Sequence, residues 1–222
     1  SQISIESKKQ GESQAWRITG EGEKISRVEA SALPGGTRIV VDHLFFNVPI
    51  RKKFLKQEKS LRKEITGLVA DYALCHPKIT FTLDLDHKNT LNLPAAQNLT
   101  ERIEQIYSED FGSNLIALYN EESETQINGY ISNFYSYHAR SHFIKLFINS
   151  RPVDYKPLIS ILRSVYGELL PPGKFPAAFL FLEIPPEQID VNVHPQKKEG
   201  RFRDEIGRGA GRERGWVSGG CG

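Results

Sequence analysis

Residues 143–184 read FIKLFINSRPVDYKPLISILRSVYGELLPPGKFPAAFLFLEI. The run of six residues at its start is almost continuously apolar, which is typical of a strand inside a sheet. Residues 155–170 place apolar side chains at the spacing of one helix face, and a Pro-Pro-Gly sequence ends that helix. The expected buried face comprises Leu158, Ile161, Leu162, Val165, Tyr166 and Leu169. A last apolar run at residues 177–184 predicts another strand, so helices are expected to lie in layers on a sheet.

The chain upstream of this segment continues the alternation of helices and strands. Residues 58–75 have a helical pattern, and a His-Pro sequence stops the helix. The stripe expected to be buried comprises Leu61, Ile65, Leu68, Val69 and Tyr72. A second helix is expected after Asn98 or Thr100, because either side chain can cap a helix. Further strands are predicted at residues 78–84, 91–93, 115–119 and 126–132.

Residues 1–42 predict a small antiparallel region. Short alternating segments are separated by turns that contain glycine, which is typical of hairpins or a meander. The predicted strands are 1–7, 14–19, 25–30 and 38–42. Because large apolar side chains are few, such a sheet can hardly form a stable core alone, and we expect it to pack on something else. Pro49 is expected to block a helix through the junction at residues 44–55.

Composition limits the classes of protein. The 222 residues are 39% hydrophobic and 25% charged, which is typical of a soluble globular protein. No run approaches the ~18 apolar residues of a membrane helix, and the first residues do not have the pattern of a secretory signal. With only Cys75 and Cys221, a disulfide framework is excluded and a reducing compartment is favoured.

Charge is distributed unevenly along the chain. There are 29 basic and 27 acidic residues, a net charge of +2 that by itself indicates no partner. Within residues 51–63, however, the basic side chains are accompanied by a single acid, Glu58. They are Arg51, Lys52, Lys53, Lys56, Lys59, Arg62 and Lys63. Such a run is either the solvated face of a helix or a patch that binds phosphate groups, and spacing alone leaves both interpretations open.

Two other features are not expected to form a site. His138 and His142 are four residues apart, but their surroundings do not have a helical pattern and no third ligand is in view, so zinc is not expected. Residues 207–222 hold seven glycines and three arginines, a composition that cannot bury enough apolar surface to order the backbone. We expect residues 205–222 to be a disordered or non-native tail rather than an arginine-rich segment that binds nucleic acid.

Three blocks of sequence are specific when taken together. Residues 36–55 read GTRIVVDHLFFNVPIRKKFL, residues 147–153 read FINSRPV, and residues 190–202 read DVNVHPQKKEGRF. In this order and at these distances they resemble the blocks GT-x-x-x-V-x-x-LF-x-N-x-PAR-x-KFL, VNGRPV and DVNVHP-x-K-x-EVRF of the MutL family of DNA mismatch-repair proteins. The resemblance covers roughly residues 1–204, with Gly200 in place of the valine that the family usually has.

The resemblance implies an α+β fold with two parts. Residues 1–46 would be the terminal strands of a GHKL ATPase domain, the type shared with gyrase, a heat-shock chaperone and histidine kinases. Residues 47–204 would be a transducer domain with a fold like that of a small-subunit ribosomal protein. The main nucleotide-binding motifs of such an ATPase are not found in the sequence, so the chain alone is not expected to hydrolyse ATP.

For the nucleotide, the resemblance assigns site residues and two cofactors. Lys197 matches the catalytic lysine that reaches the γ-phosphate of ATP, and His194 and Pro195 would fix the loop that carries it. Gly36 and Thr37 match an element at the edge of the nucleotide site. ATP and Mg²⁺ would be held by the complete ATPase domain. A compact ammonium suits the role of Lys197 because phosphoryl transfer depends on positioning and charge neutralisation.

For DNA, the resemblance assigns Lys53, Lys56 and Lys156 to a positively charged groove. Such lysines contact phosphates and supply affinity without reading sequence, as a coordinator of repair requires. The other implied partners are a second MutL-type subunit, in a homodimer or heterodimer formed when ATP is bound, a mismatch-recognition protein and a downstream nuclease or helicase. No membrane partner is implied, and the compartment would be the bacterial cytoplasm or, in a eukaryote, the nucleus.

Two other functions stay open at this point. One is the transducer domain of a type II topoisomerase, although there the lysine lies in a Gln-Thr-Lys loop, whereas this chain has the sequence His194-Pro195-Gln196-Lys197. The other is a stand-alone RNA-binding domain, which would need no upstream sequence. The short strands of residues 1–42, which lack a core of their own, argue against that second alternative.

Overall fold

The computed structural model describes residues 1–188 of the chain. They divide into two compact units, of which the first is Ser1–Leu61 and the second begins at Arg62. The predicted domain boundary after residue 46 stays a prediction. The third sequence block, with Lys197, and the predicted tail at residues 205–222 lie outside the described residues.

The first unit is built on an antiparallel sheet. Its strands are β1 (Gln2–Lys8), β2 (Ala15–Glu21), β3 (Lys24–Ile25), β4 (Glu29–Ser31) and β5 (Gly36–Asp42). They are ordered β3-β2-β1-β5, and β4 also pairs with β2, which confirms the predicted antiparallel region. The predicted strand at residues 25–30 is divided in two. The Ser26 hydroxyl accepts a hydrogen bond from the Thr19 amide and donates one to the Arg27 carbonyl, and this local bonding interrupts the strand.

This sheet buries very little surface. Ala15 is the one buried residue within residues 1–61, and every residue of β5 is exposed. Ile39 and Val41 of β5 are 61% and 51% exposed, and Trp16 of β2 is 50% exposed. These strands therefore do not form a core by themselves, as expected from their few large apolar side chains.

Two helices follow the sheet along the chain. Helix α1 (Pro49–Lys53) begins with proline, because the N–H that proline lacks has no partner in the first turn of a helix. The predicted junction therefore contains a short helix that starts at Pro49 rather than being blocked by it. Helix α2 (Glu58–Cys75) has the bounds predicted from the sequence.

The face that α2 buries differs from the prediction. Ile65, Leu68 and Tyr72 are 43%, 44% and 39% exposed, so the predicted buried stripe is wrong. The buried residues are Ala70, Ala73 and Leu74. Both sets have helical spacing, and the small alanine side chains allow this part of the helix to approach its neighbours closely.

The second unit is built on a five-stranded sheet. Its strands are β8 (Leu115–Glu122), β9 (Thr125–Ser132), β11 (Ile144–Ile148), β12 (Arg151–Val153) and β14 (Ala178–Glu183), in the order β12-β11-β14-β9-β8. Strands β11 and β14 pair in parallel and the other neighbours pair antiparallel. Two separate ladders join β6 (Phe81–Leu85) to β7 (Lys88–Leu93) and β10 (Tyr137–His138) to β13 (Phe175–Pro176).

The helices lie in layers on this sheet, as the sequence predicted, and they cover both of its faces. On one face, Leu158 and Leu162 of α5 (Pro157–Tyr166) pack in a core cluster with Leu146 of β11 and Leu180 of β14. On the other face, α2, α3 (Leu99–Ile106) and α4 (Glu109–Gly112) surround Phe147 and Phe179. The two clusters use alternate residues of the same strands, as strand geometry requires. No helix within residues 1–188 is long and apolar enough to span a membrane.

Helices α5 and α3 each have a burial feature that the sequence did not predict. In α5, Ile161 and Val165 of the predicted face are 50% and 73% exposed, and Leu169, which lies in the turn after the helix, is 61% exposed, so only half of that face is buried. In α3, which Asn98 caps as expected, Arg102 is fully buried. The Arg102 guanidinium donates to the carbonyls of Pro77 and Ile79, both at 2.6 Å, and these bonds make burial of the charge tolerable.

Gly129 marks the closest approach of two strands in the central sheet. Its φ of +145° is favourable only for glycine, and a Cβ at this position would lie 1.9 Å from the Phe179 carbonyl oxygen of β14. Gly67 of α2 provides a contrast, because a Cβ there would have no atom within 4 Å.

We expect Gly129→Ala to destabilise the second unit by about 3 kcal/mol or more, since the added methyl group forces β9 away from β14. Gly67→Ala, the matched control, should stabilise the second unit by roughly 0.5–1 kcal/mol, because alanine loses less backbone entropy than glycine when the helix forms. Urea unfolding followed by circular dichroism measures both values. Equal effects of the two substitutions would contradict the close approach of β9 and β14.

Candidate nucleotide and nucleic-acid interfaces

The predicted edge of the nucleotide site lies at the start of β5. Gly36 has a φ of +81°, and the Thr37 hydroxyl oxygen lies 2.9 Å from the hydroxyl oxygen of Ser7 on β1. Both residues are exposed. A threonine hydroxyl can donate one hydrogen bond and accept others, so Thr37 keeps capacity for a further partner. Gly36 and Thr37 therefore fit the rim of a nucleotide site but do not enclose one.

The described residues do not fit a magnesium site. No group of three or more His, Cys, Asp or Glu side chains within residues 1–188 is arranged to hold a metal ion. The His138 ring packs against the rings of Phe111 and Phe143, and burial lowers its pKa.

Two of the predicted DNA-binding lysines lie at the end of α1. Lys53 is the last residue of the helix, Lys56 follows it before α2, and both are exposed. Arg51, Lys52 and Lys53 form the last turn of α1, where positive charge is favoured by the helix dipole. Further along the basic run, Arg62 forms an ion pair with Asp86 in the turn between β6 and β7. Arg62 thus has a structural partner within the second unit.

The third predicted DNA-binding lysine, Lys156, occupies the position immediately before α5. It is exposed and has helical backbone angles. The amides of Leu158 and Ile159 donate to the carbonyls of Tyr155 and Lys156, at 3.0 and 3.1 Å. Since these amides already have partners, an anion at this end of α5 would be bound by the lysine ammonium rather than by the backbone.

The predicted site residues are distributed over both units. Gly36, Thr37, Lys53 and Lys56 belong to the first unit and Lys156 to the second. Lys197 lies outside the described residues, together with His194 and Pro195. The roles assigned to all of these residues stay predictions.

Asn149 is a residue of the second sequence block whose role the sequence did not reveal. Its side-chain oxygen accepts from the Ile184 amide at 3.0 Å, and its side-chain nitrogen donates to the Ile184 carbonyl at 2.9 Å. Asn149 and Ser150 have φ values of +47° and +61° in the turn between β11 and β12. Asn149 therefore fixes the chain just beyond β14, thirteen residues before Lys197. An Asn in a two-residue turn between apolar strands was the available signal.

A half-buried ion pair lies on the α2 side of the sheet. The Lys145 ammonium contacts both carboxylate oxygens of Asp71, at 2.8 and 3.0 Å.

Burial, and secondarily the Asp71 charge, raises the pKa of the Cys75 thiol to about 12. Cys75 is consequently a protonated thiol at neutral pH and is not a nucleophile.

Comparisons with known proteins identify the family. Residues 103–207 match the model of the DNA mismatch repair protein, C-terminal domain. The MutL protein of Wolbachia sp. subsp. Brugia malayi is 38% identical over 206 residues, which cover 92% of this chain and 33% of that protein. The Aquifex aeolicus MutL ATPase domain complexed with ADP is 31% identical with a TM-score of 0.65, and the match covers 84% of this chain and 68% of that one. The chain belongs to the MutL family of DNA mismatch-repair proteins.

Membership of the MutL family confirms the predicted α+β class and its relation to GHKL ATPase domains. The B-subunit of DNA gyrase from Myxococcus xanthus, 16% identical with a TM-score of 0.52 over 91% of this chain and 62% of that one, shares the fold alone. The topoisomerase alternative is therefore not favoured. The chain spans about one third of the length of the curated MutL relative.

The Asn149 bonds lead to a stability prediction. Asn149→Ala should destabilise the second unit by about 2–3 kcal/mol, because it removes two hydrogen bonds and leaves a residue that disfavours the left-handed conformation. Asn149→Gly should cost about 1–2 kcal/mol less than Asn149→Ala, since glycine adopts this conformation without penalty. Chemical denaturation of the three proteins tests this order, and equal stability of the Gly and Ala variants would contradict it.

Proposed function

We propose that this MutL-family chain contacts DNA phosphates and carries an ATP-sensing lysine, as part of an ATP-dependent coordinator of mismatch repair. The observation that carries the DNA-binding proposal is the exposed positive charge at the end of α1 and at the start of α5, in Lys53, Lys56 and Lys156. Ammonium groups on flexible stems bind phosphates of any sequence, which suits a protein that acts wherever a mismatch occurs.

The exposed sheet of the first unit supports a second part of the proposal. Its apolar side chains, such as Ile39 and Val41, need a covering surface to become buried. We propose that this surface is the preceding part of a GHKL ATPase domain, which would hold ATP and Mg²⁺. Gly36 and Thr37 would contribute the rim of the nucleotide site, and Lys197 the positive charge at the γ-phosphate. Bound ATP would supply the γ-phosphoryl group that is transferred to water.

We propose further partners because the chain belongs to the MutL family of DNA mismatch-repair proteins. A second MutL-type subunit would join this chain when ATP is bound, and a mismatch-recognition protein and a nuclease or helicase would act before and after it. The curated relative is bacterial, so the proposed compartment is the bacterial cytoplasm.

The DNA-binding proposal is tested by the salt dependence of affinity. The association constant K for DNA falls as salt concentration rises, so a plot of log K against log salt has a negative slope. Each of Lys53→Gln, Lys56→Gln and Lys156→Gln should lower the magnitude of this slope by roughly 0.9, the value for one lost phosphate contact. Lys88→Gln, on the hairpin strand β7, is the matched control and should leave the slope unchanged. Fluorescence anisotropy with duplex DNA measures the slopes. Unchanged slopes for all three lysine variants would refute the proposal, and tighter binding to RNA than to DNA would favour the RNA-binding alternative.

The role of Lys197 is tested in a polypeptide that joins this chain to the upstream part of a MutL ATPase domain. Lys197→Ala should lower ATP turnover at least about tenfold, which corresponds to ~1.4 kcal/mol of lost transition-state stabilisation. The neighbouring Lys198→Ala is the control and should leave turnover unchanged. If both variants hydrolyse ATP at the parent rate, the assignment of Lys197 is wrong.

A further inference from the structure

A cleft of about 360 Å³ lies at the C-terminal end of α5. Its polar lining consists of the cations Arg163 and Lys174 and the hydroxyl groups of Ser160 and Ser164. Its remaining wall is formed largely by Leu170, Pro171 and Pro172, and no carboxylate lines it. We call this feature the α5 cleft. A concave site with two cations, two hydroxyl donors and no acid has the chemistry of an anion site.

Each cation of the α5 cleft lies near the face of an aromatic ring. The guanidinium carbon of Arg163 lies 5.6 Å from the centroid of the Phe175 ring, and the Lys174 ammonium lies 6.0 Å from that of Tyr137. The two rings belong to β13 and β10, which pair with each other. Within residues 1–188, neither cation forms an ion pair with a carboxylate. Each cation thus lies near a ring, and its donors stay available to a ligand.

The dipole of α5 accounts for only one of these two charges. Arg163 lies in the last turn of the helix, where a cation is favoured. Lys174 lies beyond the helix and beyond the Pro171-Pro172 sequence. Two cations that line one cleft repel each other, and an anion between them removes that repulsion. Glu168, in the turn after α5, does not line the cleft and so does not supply this negative charge.

Helix geometry connects the α5 cleft to Lys156. Lys156, Ser160 and Arg163 are separated by four and three residues, a spacing that places them on one stripe of the helix surface. All three are exposed. Lys156 and Arg163 are separated by about 10.5 Å along the helix axis. Lys156 and Arg163 therefore face the same side of α5.

We propose that the α5 cleft binds a backbone phosphate of the duplex DNA that Lys156 contacts. The inference rests on the proposed DNA-binding function and extends it along α5. The Arg163 guanidinium donates two parallel hydrogen bonds to the two non-bridging phosphate oxygens, and the Lys174 ammonium neutralises the charge. Ser160 and Ser164 donate to further lone pairs of the same two oxygens. No base edge is contacted, so the site adds affinity without sequence preference.

The test measures the slope of log K against log salt for binding of duplex DNA, and it compares the 222-residue chain with its variants. The double variant Arg163→Gln/Lys174→Gln should lower the magnitude of the slope by roughly 0.9, the value for the one phosphate contact that is lost, and each single variant should lower it by part of that amount. Ser160→Ala should weaken binding several-fold without changing the slope, because it removes a neutral donor. Lys88→Gln remains the control, and circular dichroism verifies that each variant folds. Lys174 lies outside the helices and strands, so its variant keeps the test valid if Arg163→Gln misfolds.

The outcomes separate this inference from the proposed function. If Lys156→Gln lowers the slope while Arg163→Gln and Lys174→Gln do not, the α5 cleft is not a DNA site and the general proposal stands. If none of the three lowers it, the assignment of α5 to DNA fails as a whole.

Competition at constant ionic strength distinguishes the source of the anion. Inorganic phosphate that displaces the duplex at low concentration would overturn the inference, because the cleft would then bind a free anion rather than a DNA backbone.

Discussion

The parallel pairing of β11 with β14 is the interaction on which the second unit depends. Five residue pairs, from Ile144 with Ala178 to Ile148 with Leu182, join the strands, and most of their side chains are buried. Helix α5 connects β12, the hairpin partner of β11, to the segment before β14 and packs on both strands through Leu158 and Leu162. The same pair therefore fixes the cations along α5 and, through Asn149, the start of the segment that leads to Lys197.

The first unit has the opposite character. Its strands pair correctly but bury little, and β5 is exposed along its whole length. A sheet of this kind gains most of its stability from a surface that covers it, because burial of apolar area is the dominant favourable contribution to folding. In a MutL-family chain, that requirement and the position of Thr37 on the same strand favour a shared surface with the nucleotide-binding part of an ATPase domain.

Local signals in the sequence predicted the helices and strands well, but they did not predict which surfaces the other elements cover. The bounds of α2 and the cap at Asn98 were predictable because chain breakers and caps act on neighbouring residues. The exposed positions Leu68 and Val165 were not, because periodicity locates an apolar face without showing whether another element covers it. For the candidate site, only the resemblance assigned roles to Lys53, Lys56 and Lys156. The α5 cleft needed the structure, since the turn after α5 brings Lys174 to the cleft that Arg163 lines.

The proposed function links a DNA-binding helix, α5, to the nucleotide-sensing role proposed for Lys197. The most direct measurement is DNA affinity in the polypeptide joined to its upstream ATPase part, with a non-hydrolysable ATP analogue and with ADP. Linkage requires that a nucleotide which changes the conformation of the DNA-binding unit also changes its DNA affinity. The account predicts tighter binding with the ATP analogue and loss of this difference in Lys197→Ala. Identical DNA affinities in the two nucleotide states would contradict it.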